Sequence, residues 1–122
     1  MSIEEYRNRI IRGDCLQVMR RFEDGCIDLV LTSPPYYNIE QYEGQKHMEK
    51  EQWNKEFYIP LFEKTWKYLK KGGHYCLNIP VEVYEQTAIE VMGKAKTIIP
   101  MTKSKRKADE KYKEYIYVWI KT

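Results

Sequence analysis

The sequence predicts an α/β domain with a mostly parallel sheet and an antiparallel C-terminal edge. Three observations carry this expectation. Apolar runs of strand length, at residues 27–31 and 74–79, alternate with stretches whose apolar residues recur at helical spacing. Glycines punctuate the ends of those helical stretches, at Gly72-Gly73 and Gly93. Two further strand-like runs, 97–99 and 115–120, then follow one another with no helical stretch between them.

Taken in order, Arg9-Ile10-Ile11-Arg12 reads as a short strand stopped by Gly13-Asp14. Asp14 caps a helix in which Leu16, Met19 and Phe22 recur every three residues. Glu23-Asp24-Gly25 turns the chain into Ile27-Asp28-Leu29-Val30-Leu31, a run expected to be buried on both faces. Ser33-Pro34-Pro35 ends that strand, because two consecutive prolines cannot continue a ladder. Residues 37–50 lack a period and read as a loop. Tyr58, Leu61, Phe62, Thr65, Trp66 and Leu69 form a helical stripe. Pro60 lies either in its first turn or at a kink in a longer helix starting near Glu49. Lys70-Lys71-Gly72-Gly73 reads as the helix stop, 74–79 as a strand, and Val83 to Met92 as a helix ended by Gly93. Tyr115-Ile116-Tyr117-Val118-Trp119-Ile120 alternates aromatic and β-branched residues and pairs with 97–99.

The 122 residues suffice for one domain, and 43% hydrophobic with 32% charged residues is a globular balance. No apolar run approaches the roughly 18 residues of a membrane span, so no membrane partner is expected. The N-terminus lacks the pattern of a signal peptide. Cys15, Cys26 and Cys76 are odd in number and widely spaced, which argues against a disulfide framework and a zinc site; no metal is expected, and the cytoplasm is the natural compartment. The net charge of +3 is unevenly spread. Lys94, Lys96, Lys103, Lys105, Arg106, Lys107, Lys111 and Lys113 crowd residues 94–113. That run is read either as a solvated loop or as a phosphate-contacting one, with Lys103, Lys105, Arg106 and Lys107 at its centre.

Ser33, Pro34, Pro35 and Tyr36 are the candidate catalytic residues. An exocyclic amine on a base has its lone pair delocalised into the ring and is a poor nucleophile. Acceptors that bind its hydrogens favour a tetrahedral nitrogen and free that pair. The Ser33 hydroxyl and the Pro34 carbonyl, rigid because Pro35 follows it, are two such acceptors. Tyr36 offers a ring face to a base taken out of the duplex, where stacking is worth about 1–3 kcal/mol. A plain Pro-Pro turn with Tyr36 as packing is the alternative; position at the carboxyl end of an apolar strand, where ligands of open α/β sheets bind, favours the chemical reading.

Thr32-Ser33-Pro34-Pro35-Tyr36 resembles the catalytic motif of the N4-cytosine/N6-adenine DNA methyltransferases. The resemblance extends to Gly13-Asp14-Cys15-Leu16, Ile27-Asp28-Leu29-Val30, Leu69-Lys70-Lys71-Gly72-Gly73-His74 and Glu114-Tyr115-Ile116-Tyr117-Val118-Trp119, nearly the whole chain. It implies a Rossmann-like class I methyltransferase sheet, present here in part, with residues 1–122 forming a single partial catalytic domain. It implies S-adenosylmethionine as cofactor, DNA as partner, and the modification arm of restriction-modification. Serine in the first motif position resembles the N4-cytosine members, while adenine N6 stays open. By the same resemblance Asp14 contacts the adenine amino group of the cofactor, beside its capping role. Tyr37, Asn38 and Tyr42 either line the pocket or pack on the surface.

The resemblance breaks off at one place. The family carries a glycine-rich cofactor loop, and none of Gly13, Gly25, Gly44, Gly72, Gly73 or Gly93 forms a Gly-x-Gly. No acidic residue stands ready for the cofactor ribose. The missing strands would lie in the middle of the sheet, between the strand before Asp14 and the strand before Ser33, leaving an open edge. Three situations are expected from this: a truncated frame, one half of a split enzyme with a complementary fragment or subunit, or a degenerate copy kept for nucleic-acid binding or regulation. An amino methyltransferase acting on RNA or protein is a further reading, and the basic 94–113 run favours nucleic acid.

Overall fold

The computed structural model describes residues 3–35, 50–101 and 114–122. At its centre lies a four-stranded sheet in the order β1-β2-β4-β3. The strands are β1 (Ile27–Thr32), β2 (Leu69–Ile79), β3 (Thr97–Met101) and β4 (Glu114–Ile120). β1 runs parallel to β2, while β4 is antiparallel to both β2 and β3. The α/β class and the antiparallel C-terminal edge are as expected. A mostly parallel sheet is not: of three strand pairs among the described residues, one is parallel. β1, β2 and β3 do share a direction, but β4 returns between β2 and β3 and converts one parallel neighbourhood into two antiparallel pairs.

The helical segments follow the apolar periodicity, with two irregularities the period does not encode. α1 (Cys15–Val18) starts at Asp14, whose carboxylate accepts from the Gln17 backbone N–H at 3.1 Å. It tightens into a 3₁₀ turn over Met19–Arg21. α2 (Lys50–Trp53) leads through a π-helical turn, Asn54–Tyr58, into α3 (Ile59–Tyr68). The Ile59 N–H reaches back five residues to the Asn54 carbonyl, just before Pro60, which has no N–H for the ladder. Both readings of Pro60 hold: it lies in the first turn of α3, and α3 continues a longer helix interrupted by the π-helical turn. α4 (Val81–Val83), a second π-helical turn over Tyr84–Ala88, and α5 (Ile89–Met92) repeat the pattern. Gly93, at φ 79°, ends that run as expected.

Two further expectations need correction. Residues 9–12 form no strand, and Ile10 is fully exposed. An extended segment gains no ladder bonds without a neighbour, and no described strand lies beside it. β1 is not buried on both faces either: Leu29 is 53% and Leu31 69% exposed. The register places Leu29 opposite His74 and Leu31 opposite Cys76, on the face away from Tyr75 and Leu77. The helices cover the Tyr75 face, and among the described residues nothing pairs with the outer edge of β1.

The core sits between that covered face and the helices. Phe62, Leu69, Tyr75, Leu77, Ile79, Ala88, Tyr117 and Trp119 are all buried there. Tyr84 stacks on Tyr117 with ring centroids 3.9 Å apart, and its hydroxyl accepts from the Ala95 N–H at 2.9 Å. Trp119 Nε1 donates to the Gly93 carbonyl at 2.9 Å. Lys121 closes the end of α3 by donating from Nζ to the Trp66 and Leu69 carbonyls, each at 2.7 Å. A cation on the last carbonyls of a helix also suits its dipole.

The pair Gly72-Gly73 lies inside β2 rather than beyond a helix stop, because α3 already ends at Tyr68 and Leu69 is extended. Between the pairs Ile27↔Leu69 and Leu29↔His74, one residue of β1 faces four of β2. This is a bulge, and Gly73 is required in it. A Cβ there would stand 2.8 Å from the Lys70 carbonyl oxygen and 2.9 Å from that of Asp28. Past the bulge the register is regular through Thr32↔Leu77, which sets Ser33 beside Asn78.

Candidate functional site

Ser33, Pro34 and Pro35 leave the carboxyl end of β1, next to the carboxyl end of β2. Their solvent access differs: Ser33 is exposed, Pro35 half-buried and Pro34 buried. The exposed hydroxyl faces the open side, and the prolines anchor it.

Two contacts hold this exit. Tyr58, 1% exposed, donates its hydroxyl to the Pro35 carbonyl at 3.0 Å. Its ring stacks on Phe62, with centroids 5.7 Å apart and planes 13° apart. The helical stripe therefore grips the motif from the covered side of the sheet. From β2, the Ser33 hydroxyl donates to Asn78 Oδ1 at 3.3 Å. Asn78 Nδ2 in turn donates to the Tyr115 carbonyl at 2.9 Å and lies 3.4 Å from Met101 Sδ. Strands β1, β2, β3 and β4 thus converge on Ser33 through one side chain.

Asn78 does not stand out as a site residue in the sequence. Its one signal there is position, a lone amide in the otherwise apolar run Cys76-Leu77-Asn78-Ile79 at the end of a strand. Tyr58 reads there only as part of the helical stripe.

The remaining site expectations divide cleanly. Tyr36, Tyr37, Asn38, Tyr42, Lys103, Lys105, Arg106 and Lys107 lie outside the described residues. Asp14 is exposed, and its capping role is observed. A cleft of about 510 Å³ opens between Tyr6, Ile11, Gln17, Val18, Arg20 and Arg21; none of Asp14, Ser33, Pro34 and Pro35 lines it. No group of three or more His, Cys, Asp or Glu poised for a metal occurs among the described residues, and no helix there is long and apolar enough to cross a membrane.

No family model matches the chain. Over 76 residues, 60% of this chain and 11% of the relative, it is 32% identical to the type II methyltransferase M.MwoI of Methanothermobacter wolfeii. Its fold is similar to that of a candidate DNA modification methylase from Thermus thermophilus complexed with S-adenosyl-L-methionine. That match has a TM-score of 0.64 at 19% identity, over 89% of this chain and 53% of the other. PvuII DNA methyltransferase, described as cytosine-N4-specific, matches with a TM-score of 0.61 at 18% identity, over 90% of this chain and 48% of that one. The chain thus spans about half the length of these structures and about a tenth of the curated relative. At such identities the structural likeness is one of fold, and that fold is the α/β fold of DNA methylases.

Proposed function

We propose that this chain carries the target-base half of an S-adenosylmethionine-dependent DNA methyltransferase acting on an exocyclic amino group, cytosine N4 in the first instance. The observation that carries the reading is the placement of Ser33-Pro34-Pro35. It leaves a parallel strand at its carboxyl end, in a methylase fold, with the serine oxygen exposed and held from behind. The cytosine preference rests on serine in the first motif position and on the likeness to a cytosine-N4-specific enzyme; adenine N6 fits the same acceptors.

In this reading Ser33 Oγ and the Pro34 carbonyl oxygen each accept a hydrogen of the amine. They draw the nitrogen towards tetrahedral geometry and expose its lone pair, an electrostatic arrangement set before reaction begins. Tyr36 stacks on the flipped base, and Lys103, Lys105, Arg106 and Lys107 contact phosphates. The proton lost after transfer passes to water, so no strong base is needed. S-adenosylmethionine, when bound, supplies the electrophilic methyl group.

The residues of this chain fit only part of that cofactor. Asp14 can accept from its adenine amino group through the carboxylate oxygen not used in the cap. The six glycines offer no Gly-x-Gly loop for the methionine end. A complementary fragment or subunit, seated on the edge of β1 that no described strand pairs, provides that loop in this proposal. Isothermal calorimetry of the 122-residue chain with S-adenosylmethionine should therefore show no saturable heat; tight, stoichiometric binding would refute the half-enzyme proposal.

In an active assembly, Ser33→Ala should lower kcat for base methylation about a hundredfold, the usual cost of one organised polar contact at a reacting group. An unchanged rate would remove Ser33 from the chemistry. The absent loop also favours a second reading, a silent nucleic-acid-binding or regulatory module. Methyl transfer by any reconstituted assembly rules that reading out.

A further inference from the structure

We propose that Asn78 fixes the direction of the hydrogen bond at Ser33, so that the site admits an amino group and rejects a carbonyl. This rests on the reading of Ser33 as the contact to the target amine, and it adds a selectivity to it.

The direction follows from which atoms own protons. Tyr115 contributes a backbone carbonyl, which can only accept. Asn78 must therefore turn Nδ2 towards it, as it does at 2.9 Å. Met101 Sδ, 3.4 Å from the same nitrogen, is also an acceptor and favours the same orientation. With Nδ2 committed to that side, Oδ1 faces Ser33 Oγ at 3.3 Å. An amide oxygen has no proton to give, so the proton between them is the serine's.

A hydroxyl has one proton and two lone pairs. Once the proton points at Asn78, Ser33 offers only lone pairs to the open side of the sheet. The chain of donors runs one way, from the incoming group to Ser33, from Ser33 to Asn78, and from Asn78 to Tyr115. Turning the serine proton to an incoming carbonyl would leave Oδ1 of Asn78 without that proton, and the amide could not flip to compensate without setting Oδ1 against the Tyr115 carbonyl. The Ser33–Asn78 contact is long for a hydroxyl donor. The lock therefore acts by making the alternative costly rather than by its own strength.

Cytosine N4 and adenine N6 carry hydrogens and complete this chain. The O4 of uracil or thymine brings lone pairs against lone pairs, a contact in which no hydrogen bond forms. Asn78 is thus a positioning residue whose effect is on the kind of base accepted. A merely structural role would weaken all bases alike.

The test uses the 122-residue chain and fluorescein-labelled oligothymidylates with one central deoxycytidine or deoxyuridine, compared by anisotropy. The deoxycytidine strand should bind about threefold or more tighter than the deoxyuridine strand, the scale of one hydrogen bond. Asn78→Leu should bring that ratio to about one while keeping a folded circular-dichroism spectrum. Asn78→Asp keeps an acceptor for the serine proton and should retain the preference. If Asn78→Leu retains the wild-type ratio, or Asn78→Asp loses it as fully, the proposal is overturned. Loss of the ratio in Ser33→Ala would in that case leave the reading of Ser33 itself standing. A wild-type chain with no preference would remove both.

Discussion

Replacing Phe62 by alanine is expected to destabilise the chain by about 3–5 kcal/mol, the range for truncating a buried phenylalanine. Phe62 is 0% exposed and central to the cluster between the helices and the sheet. α3 is pinned at its end by Lys121 and cannot collapse freely into the void. Against a total stability of roughly 5–15 kcal/mol for a small domain, such a loss is a large part of the whole. Urea unfolding followed by tryptophan fluorescence measures it: the midpoint should fall with little change in slope. A loss below about 1.5 kcal/mol would mean that the core is loosely packed. The effect should also reach the motif, because the ring stacked on Phe62 belongs to Tyr58, which holds the Pro35 carbonyl.

The second large effect is a loss of stability in alkali. Burial pushes the Tyr117 phenol up from 10.0 to about 12, with Tyr115, Tyr84 and Glu85 adding to the shift. Burial moves the Tyr75 phenol up as well, only partly offset by its hydrogen bond with Thr65. A folded-state value above the unfolded one means that the folded chain keeps its proton longer. The contribution is fully present below about pH 10 and lost as pH rises towards the folded values. From about pH 8 to about pH 11 the two tyrosines should together cost stability on the order of 1–3 kcal/mol. Urea titrations at the two pH values read the difference directly. Tyr117→Phe keeps the stacked ring and should reduce the loss; an unchanged slope would show that Tyr117 does not titrate as argued.

What sequence can tell about this protein is local. The alternation in β4, the stripe through Leu61, Phe62 and Thr65, and the stop at Gly93 are properties of neighbouring residues, and each appears where the pattern puts it. The Ser33-Pro34-Pro35 exit is legible for the same reason, since proline dictates its own backbone. What fails depends on partners. Ile10 and Ile11 have strand-forming side chains but no neighbouring strand among the described residues, and Leu29 and Leu31 look like core residues until the open face of β1 is seen. A period of 3.6 cannot reveal one wide turn, so the π-helical stretches at Asn54–Tyr58 and Tyr84–Ala88 are invisible to it. Asn78 escapes notice because its meaning lies across the sheet, in the register that sets it beside Ser33.

That register begins at the bulge of β2, and the bulge has a consequence for length variation in this chain. Residues 70–73 hold surplus length opposite a single residue of β1. Deleting Lys71 draws on slack, and the loop can shorten while His74 stays opposite Leu29. Deleting Tyr75 has no slack to draw on. It would slide the end of β2 by about 3.3 Å, turn each following side chain to the other face and carry the amide away from the serine. Insertions and deletions in this strand should therefore be tolerated on one side of His74 and disruptive on the other.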